Sequence, residues 1–270
     1  MKIGPAPRMG RFAPAWRRAA YRAFGATSLL RRVHTPEGTF EAYVSPGAQL
    51  SVLNPRGVQI DPVHRRFIAR WVDPASIVWD IGANMGLFAF PSALKARRGH
   101  VYAFEPDIEL ARNLIRSKRR PRNRGLPIVV FSFALSDTDG TTDFLIASQG
   151  RAMNKLDGAA PWHDNLFEVS EKRSVGTFRI DTIAKTRPAP SVLKIDVEGA
   201  ELKVLQGGRE TIAKHKPVIL IEGPRELWPQ MAAFFRELDY LLFDGQADTS
   251  VVLDMPVWDT VAVPREKWPQ

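Results

Sequence analysis

The sequence contains no cysteine. That excludes a disulfide framework and a thiolate zinc site, and it points to a reducing, cytoplasmic setting. No uninterrupted apolar run approaches the roughly 20 residues that a membrane span needs. Internal repeats and low-complexity tracts are missing as well. Residues 1–36 hold eight Lys and Arg and no Asp or Glu, whereas residues 37–270 carry 30 basic against 29 acidic residues. The net charge of +9 therefore belongs to an arm, and the body is close to neutral. A nucleic-acid surface needs clustered Lys and Arg on the folded domain, so no nucleic-acid partner is predicted.

What is present suits one large α/β domain: 270 residues, 44% of them apolar and 25% charged. In the arm, Trp16, Ala20 and Phe24 mark one helical face, with Arg17, Arg18 and Arg22 off it. Three uses of this segment stay open: packing on the domain or on a second subunit of a homo-oligomer, peripheral contact of residues 1–32 with an anionic membrane or an acidic partner, and a targeting segment. A secretory signal's apolar core is not there. Residues 37–72 read as a small preface, with β-like runs at 39–44 and 49–53 and a helix at 61–72.

From residue 73 onward strand and helix alternate. Strands are expected at 77–81, 101–105, 128–135, 192–197 and 218–222, and helices near 87–97, 107–119, 199–206 and 227–238. Such alternation gives a parallel sheet with helices on both faces. Pro91 sits awkwardly in its helix, and Gly207-Gly208 reads as a helix end. Residues 137–190 form a long insertion, and the tail has β-like runs at 240–243, 251–253 and 258–263, which predicts antiparallel edge strands.

The most informative stretch is Ile77-Val-Trp-Asp-Ile-Gly-Ala-Asn-Met-Gly86, a strand running into a small-residue turn. Glycine there lets a ligand approach bare backbone at the carboxyl end of the first strand. The triple-glycine spacing of a dinucleotide site is absent, and Asp80 before the turn suits a pyrophosphate poorly because like charges repel. It suits a cofactor with a cationic amino-acid end, such as S-adenosylmethionine. Asp80 would neutralise the positive side, and Gly82, Ala83, Asn84 and Gly86 would place N–H groups at the carboxylate. Glu105, followed by Pro106, ends the next strand and is placed to accept both ribose hydroxyls. The third strand ends near Phe133, Ala134 and Leu135, where an adenine would lie; Asp137 caps the next turn or serves the site. In the fourth, Lys194 and Asp196 share a face, and Asp196 and Glu198 reach the carboxyl rim. Glu222 ends the fifth strand on the same rim.

These motifs carry a resemblance. The chain resembles the FkbM family of S-adenosylmethionine-dependent methyltransferases over about residues 60–225. The resemblance rests on Asp80-Ile-Gly-Ala-Asn-Met-Gly86, Glu105-Pro106, Ala134-Leu-Ser-Asp137, Lys194-Ile-Asp-Val-Glu-Gly-Ala-Glu201 with Val204-Leu-Gln-Gly207, and Ile221-Glu222. It implies a class I methyltransferase-like, Rossmann-like fold and O-methylation of a hydroxyl on a small molecule, sugar or secondary metabolite. The family commonly has a His shortly after the acid of the fifth strand; here Glu222-Gly-Pro-Arg-Glu-Leu-Trp228 has none.

Asp196 and Glu198 are the candidate catalytic residues, with Asp196 also at the cofactor. Asp196 would take the hydroxyl's proton or orient it; the alternative is that both acids cap the following helix. Asp196, Glu198 and Glu222 offer oxygen ligands suited to Mg²⁺, but the spacing is not diagnostic and no metal is predicted. Arg151, Met153, Asn154, Trp162 and His163 are lid candidates in the insertion. His34, His64, His100 and His215 have no partner legible in the sequence. Rival readings are a methyltransferase acting on RNA or protein, and a cofactor-binding scaffold whose basic arm recruits a partner. A dehydrogenase is disfavoured by the turn.

Overall fold

The computed structural model describes residues 27–48, 50–54, 57–148, 151–160, 168–247 and 251–268. The arm's Trp16, Ala20 and Phe24 lie outside them. So do Trp162 and His163.

A hairpin opens the described chain, with β1 (Leu29–Thr35) antiparallel to β2 (Gly38–Val44). The boundary expected at residue 36 therefore falls inside a hairpin, and residues 29–35 pair with the preface rather than extending the arm. Alternation explains this: Val33 is buried while Arg32 and His34 point outward. Residues 50–53, expected as β, form a 3₁₀ turn instead. The free edge of β2 is already occupied: Glu41 N–H donates to Asn123 Oδ1 at 3.1 Å, and Tyr43 N–H to Ser117 Oγ at 2.8 Å. Helix α1 (Pro62–Trp71) follows, capped by Asp61, whose carboxylate accepts from Val63 N–H at 2.7 Å, with Pro62 in the first turn.

The central sheet then builds up through β3 (Ile77–Ile81), α2 (Ala89–Lys95), β4 (His100–Phe104), α3 (Ile108–Lys118) and β5 (Ile128–Phe131). Helix α2 begins late, at residue 89, and this resolves Pro91: it sits in the first turn, where its missing N–H has no helical partner to lose. Beyond β5 the chain leaves the sheet. The strand expected to run to Leu135 breaks at Ser132, and β6 (Ala134–Leu135) pairs elsewhere. The insertion supplies β7 (Gly140–Ala147), β8 (Lys155–Leu156), β9 (Val169–Phe178) and the short α4 (Ile180–Ile183). Strands β6, β9, β7 and β8 make a second sheet in that order.

The chain returns through β10 (Val192–Ile195), α5 (Glu201–Gly207), α6 (Arg209–His215), β11 (Val218–Glu222), α7 (Trp228–Glu237), β12 (Tyr240–Asp244) and β13 (Asp259–Pro264). Helix α6 was not expected: Gly208 ends α5 but also starts α6. The tail run 251–253 contributes one bridge, Leu253 to Leu242, and not a strand.

The central sheet has the order β12-β13-β11-β10-β3-β4-β5. Strands β3, β4, β5, β10 and β11 are parallel, and β13 is antiparallel to both neighbours. The mostly parallel sheet with an antiparallel pairing near its C-terminal edge is thus as the sequence predicts, but only β13 runs antiparallel, and the edge strand β12 runs in the direction of β11. One face packs on the hairpin, α1, α2 and α3; the other packs on α4 to α7. Side-chain alternation decides what each face receives. On β3, Val78 goes to the first face and Trp79 and Ile81 to the second. Asp80 therefore faces α1, and by the same alternation so do Lys194 on β10 and Glu222 on β11. Among the described residues no helix is long and apolar enough to cross a membrane.

Candidate active site

The turn after β3 is fastened to β4. Both Gly82 N–H and Ala83 N–H donate to Phe104 C=O at 3.0 Å. Gly82 has φ +77, and a Cβ there would stand 1.8 Å from Asp196 C=O. Its bareness lets the end of β10 close on the turn, where the sequence suggested room for a ligand. Gly86 (φ +80) packs against Leu114 and Phe90. Asn84 takes φ +50, a left-handed conformation that Asn tolerates. Its N–H donates to Glu105 Oε2 at 2.8 Å, and Asp107 N–H donates to Glu105 Oε1 at the same distance. Burial pushes the Glu105 carboxyl up to about 8 against these two donors.

Asp80 is fully buried, and its partner is dictated by register, because Lys194 lies opposite it in the parallel β3–β10 ladder. Lys194 Nζ sits 3.5 Å from Asp80 Oδ1 and 3.2 Å from Asp196 Oδ2, and donates to Gly82 C=O at 2.7 Å. Burial alone would lower the Lys194 pKa, but the carboxylates of Asp196, Asp80 and Glu222 outweigh it and hold the ammonium charged. Asp80 is raised, by burial first, with Lys194 opposing. The same face receives His64 from α1, whose Nε2 lies 3.1 Å from Glu222 Oε1. Burial lowers His64, yet the hydrogen bond and charge of Glu222 leave its pKa raised. Glu222 is raised by burial and by the charge of Asp196, with His64 pulling the other way.

After β10 the backbone is strained. Glu198 has φ +56, which costs a non-glycine residue about 1–3 kcal/mol, and Gly199 has φ +97. Glu201 holds this turn: its Oε1 accepts from Val197 N–H at 3.1 Å and Gly199 N–H at 3.0 Å. Neither Asp196 nor Glu198 caps the following helix, whose N-cap residue is Ala200 with no side-chain cap; Glu201 instead braces the turn before it. Burial pushes Glu201 up to about 7, and its Oε2 has no hydrogen-bond partner among the described residues. Glu198 is raised well above an ordinary carboxyl, first by burial and then by Asp196.

Two cavities meet here. The first holds about 590 Å³ of empty space and is walled by Gly82, Asn84, Glu105, Pro106, Phe133 and Ala134, with Asp196 and Glu198 at one end. The second, about 240 Å³, is lined by Asp196, Glu198, Glu201, Glu222 and Trp258. Asp196 and Glu198 line both. Of the predicted cofactor residues, Asp80, Ala83 and Gly86 do not reach the first cavity; they fix the turn and the charge behind it. The insertion closes the cavity's flank. Arg151 and Asn154 line it, and both hold the buried Asp107: Arg151 Nη1 pairs with Oδ2 and Asn154 Nδ2 donates to it at 2.8 Å. Asp107 also caps α3 through Glu109 N–H at 2.9 Å, so one carboxylate ties the insertion to the strand-end acid. Asp137 accepts from Ser136 Oγ at 3.0 Å, away from both cavities.

Sequence reasoning missed His64, Glu201 and Asp107. His64 stands 158 positions from Glu222, and no local pattern signals it. Asp107 was within reach, as an acid directly before a helical run.

The cavity fits S-adenosylmethionine. Its lining joins apolar side chains (Phe104, Phe133, Leu135) with acids (Glu105, Asp196, Glu198), and Asn84 Oδ1 stands on its wall buried and, among the described residues, without a hydrogen-bond partner, an acceptor suited to an ammonium. Among the described residues no group of three His, Asp or Glu is arranged to hold a metal ion.

Known proteins agree with this geometry. The family model of the methyltransferase FkbM domain matches residues 80–242, from Asp80 into β12. The chain is 26% identical over 211 residues to the 2-O-methyltransferase NoeI of Sinorhizobium fredii, covering 74% of this chain and 79% of NoeI. It is 28% identical over 145 residues to the hexuronic acid methyltransferase AglP of Haloferax volcanii, covering 53% of this chain and 54% of AglP, so the match spans about half of that relative. The crystal structure of methyltransferase FkbM from Methylobacillus flagellatus superposes with a TM-score of 0.50 at 20% identity, covering 75% of this chain and 47% of that one, and it shares the fold. Family model, fold and cavity together place the chain in the FkbM methyltransferase family, and it is an S-adenosylmethionine-dependent methyltransferase.

Proposed function

We propose that the chain transfers the methyl group of S-adenosylmethionine to a hydroxyl oxygen of a saccharide or a sugar-like small molecule. The observation that carries this reading is the pair of cavities sharing Asp196 and Glu198. A donor seated in the larger one would turn its sulfonium methyl toward the smaller, where carboxylates suit the hydroxyl hydrogens of a polyol. Two relatives support the acceptor class by name, one for 2-O-methyl transfer and one for hexuronic acid.

S-adenosylmethionine supplies a methyl group on a sulfonium, already a good leaving group. What the chain must add is alignment and proton removal. Holding two reactants in line is worth up to about 7–11 kcal/mol of effective concentration. In this reading Glu105 accepts the ribose hydroxyls, Pro106, Phe133 and Ala134 sandwich the adenine edge, and Gly82 and Asn84 meet the amino-acid end. Asp80 acts from behind: through Lys194 it fixes the Gly82 carbonyl and the Asp196 carboxylate. Asp196, anchored to a permanent cation, orients the acceptor hydroxyl, and Glu198 accepts a neighbouring hydroxyl.

The test is calorimetric titration with S-adenosylmethionine, followed by transfer of a labelled methyl group to methyl glycosides of neutral hexoses and hexuronic acids. The expected product carries the label as a methyl ether. Absence of cofactor binding overturns the donor site. Binding without transfer to any of these glycosides overturns the saccharide assignment.

A further inference from the structure

The second cavity contains a group the reading above leaves without a task. Glu222 lines it, at the tip of β11, and is hydrogen-bonded from behind by His64, which does not line it. The pair is screened from bulk water: the side chains are 14% and 23% exposed for His64 and Glu222. Asp196 faces the same cavity, but its carboxylate is committed to Lys194. A carboxylate locked to a permanent ammonium orients a hydroxyl well and takes its proton poorly, because protonation would break a buried ion pair. Among the described residues Glu222 has no Lys or Arg at ion-pair distance. Its partner is an imidazole that can share a proton. Glu201 adds an independent sign that this cavity receives a ligand. It is 1% exposed, lines the cavity, and leaves Oε2 unpartnered among the described residues.

We propose that Glu222 is the proton acceptor for the substrate hydroxyl and that His64 is the positioning residue that holds Glu222 and shares the proton it takes. The inference rests on the saccharide O-methylation reading. As the acceptor oxygen bonds to the methyl carbon, the carbon–sulfur bond breaks and its electron pair stays on sulfur. The hydroxyl proton passes to Glu222 Oε and is shared with His64 Nε2. The products are the methyl ether, S-adenosylhomocysteine and one proton on the pair, later lost to water. Burial and the charge of Asp196 raise Glu222, which strengthens it as a base. Nothing in the sequence around Glu222 discloses its partner. The helix preceding β3 delivers it, because Asp80, Lys194 and Glu222 all face α1.

The charged groups around the pair set the pH response. Facing it are Asp61 at the start of α1, Asp80 on β3, Lys194 and Asp196 at β10, Glu198 just after β10, whose own carboxyl is raised and shares the cavity, and Asp259, paired with Glu222 in the β11–β13 ladder. His64 lowers the Glu222 pKa by its hydrogen bond and charge. Removing the imidazole therefore moves the acid limb of the pH–rate profile to higher pH, a shift that a merely structural contact does not produce.

The experiment is single-turnover methyl transfer at saturating S-adenosylmethionine, using the methyl hexoside or hexuronoside that the wild-type chain methylates, across pH 5.5–9. Glu222→Gln is expected to slow transfer about 10²–10⁴-fold while the cofactor affinity stays within threefold. His64→Phe is expected to slow it about tenfold or more, in the range of losing one catalytic contact, and to shift the acid limb upward; His64→Gln, which retains an N–H donor, recovers part of the rate. Glu222→Gln transferring within threefold of wild type overturns the inference and leaves the methyltransferase reading standing. Should Glu222→Gln fail to fold, an unshifted acid limb in His64→Phe overturns it equally. If the wild-type chain methylates none of the glycosides, the saccharide reading falls and takes this inference with it.

Discussion

The walls of the larger cavity come from neighbouring stretches of chain. Gly82 and Asn84 belong to one turn, and Glu105 and Pro106 to the tip of the next strand. The walls of the smaller cavity are gathered from far apart. Asp196 and Glu198 follow β10, Glu222 ends β11, and the imidazole behind Glu222 comes from a helix 158 positions earlier. The first region is held mainly by backbone: Gly82 and Ala83 hang on Phe104 C=O, and two N–H groups orient Glu105. The second is held by side-chain charge. In the proposed reading, a donor common to many acceptors is met by local, backbone-defined geometry, and the acceptor by groups that long-range folding must bring together.

Lys194 joins the two regions, and its loss is the largest effect expected. Its side chain is 4% exposed and serves Asp80, Asp196 and the Gly82 carbonyl at once. Lys194→Met leaves Asp80 buried without its cation, and breaking such a pair costs about 3–5 kcal/mol. Urea unfolding should show that loss, and the double variant Lys194→Met, Asp80→Leu should recover most of it. A loss under about 1 kcal/mol, the scale of an exposed pair, would separate the two regions and break the comparison.

A smaller effect isolates the donor region. Ribose hydroxyls donate to an ionised carboxylate, and Glu105 titrates near 8 when folded. Its pKa is raised, so the ionised form grows as pH rises. The ionised fraction climbs from about a tenth at pH 7 to about a half at pH 8. Affinity for S-adenosylmethionine should therefore rise about fivefold over that unit, read by calorimetry. Glu105→Gln should flatten this slope and weaken binding about tenfold or more at pH 8, the scale of hydrogen bonds to a charged group. A slope that persists in the variant assigns the titration elsewhere.

The same contrast explains what the sequence disclosed. The parallel order and the antiparallel pairing near the edge were legible because apolar periodicity and turn residues are local signals. Asp80, the glycine turn and Glu105 were legible because a strand, a turn and the next strand tip are linear neighbours. Their roles were less so. Gly82 makes room for Asp196 C=O, and Asp80 faces α1 instead of the cavity, facts that depend on register between β3 and β10. His64 stayed silent for the same reason. Glu198 was visible as a strand-end acid, but its left-handed backbone and the bracing of its turn by Glu201 were not, because Glu is a poor marker of positive φ. The break of the third strand at Ser132 was hidden too, since Ala134 and Leu135 are apolar in either sheet and only the partner β9 decides.

The most direct test of the two-part site is the Asp196→Asn variant, measured for both cofactor affinity and turnover on an accepted methyl glycoside. Its carboxylate is tied to Lys194 and stands where the cavities join. If it orients the acceptor hydroxyl, turnover falls about a hundredfold or more, as expected when a group acting in the transition state is removed, while affinity for S-adenosylmethionine changes by less than a factor of ten. Turnover within threefold of wild type would contradict the account.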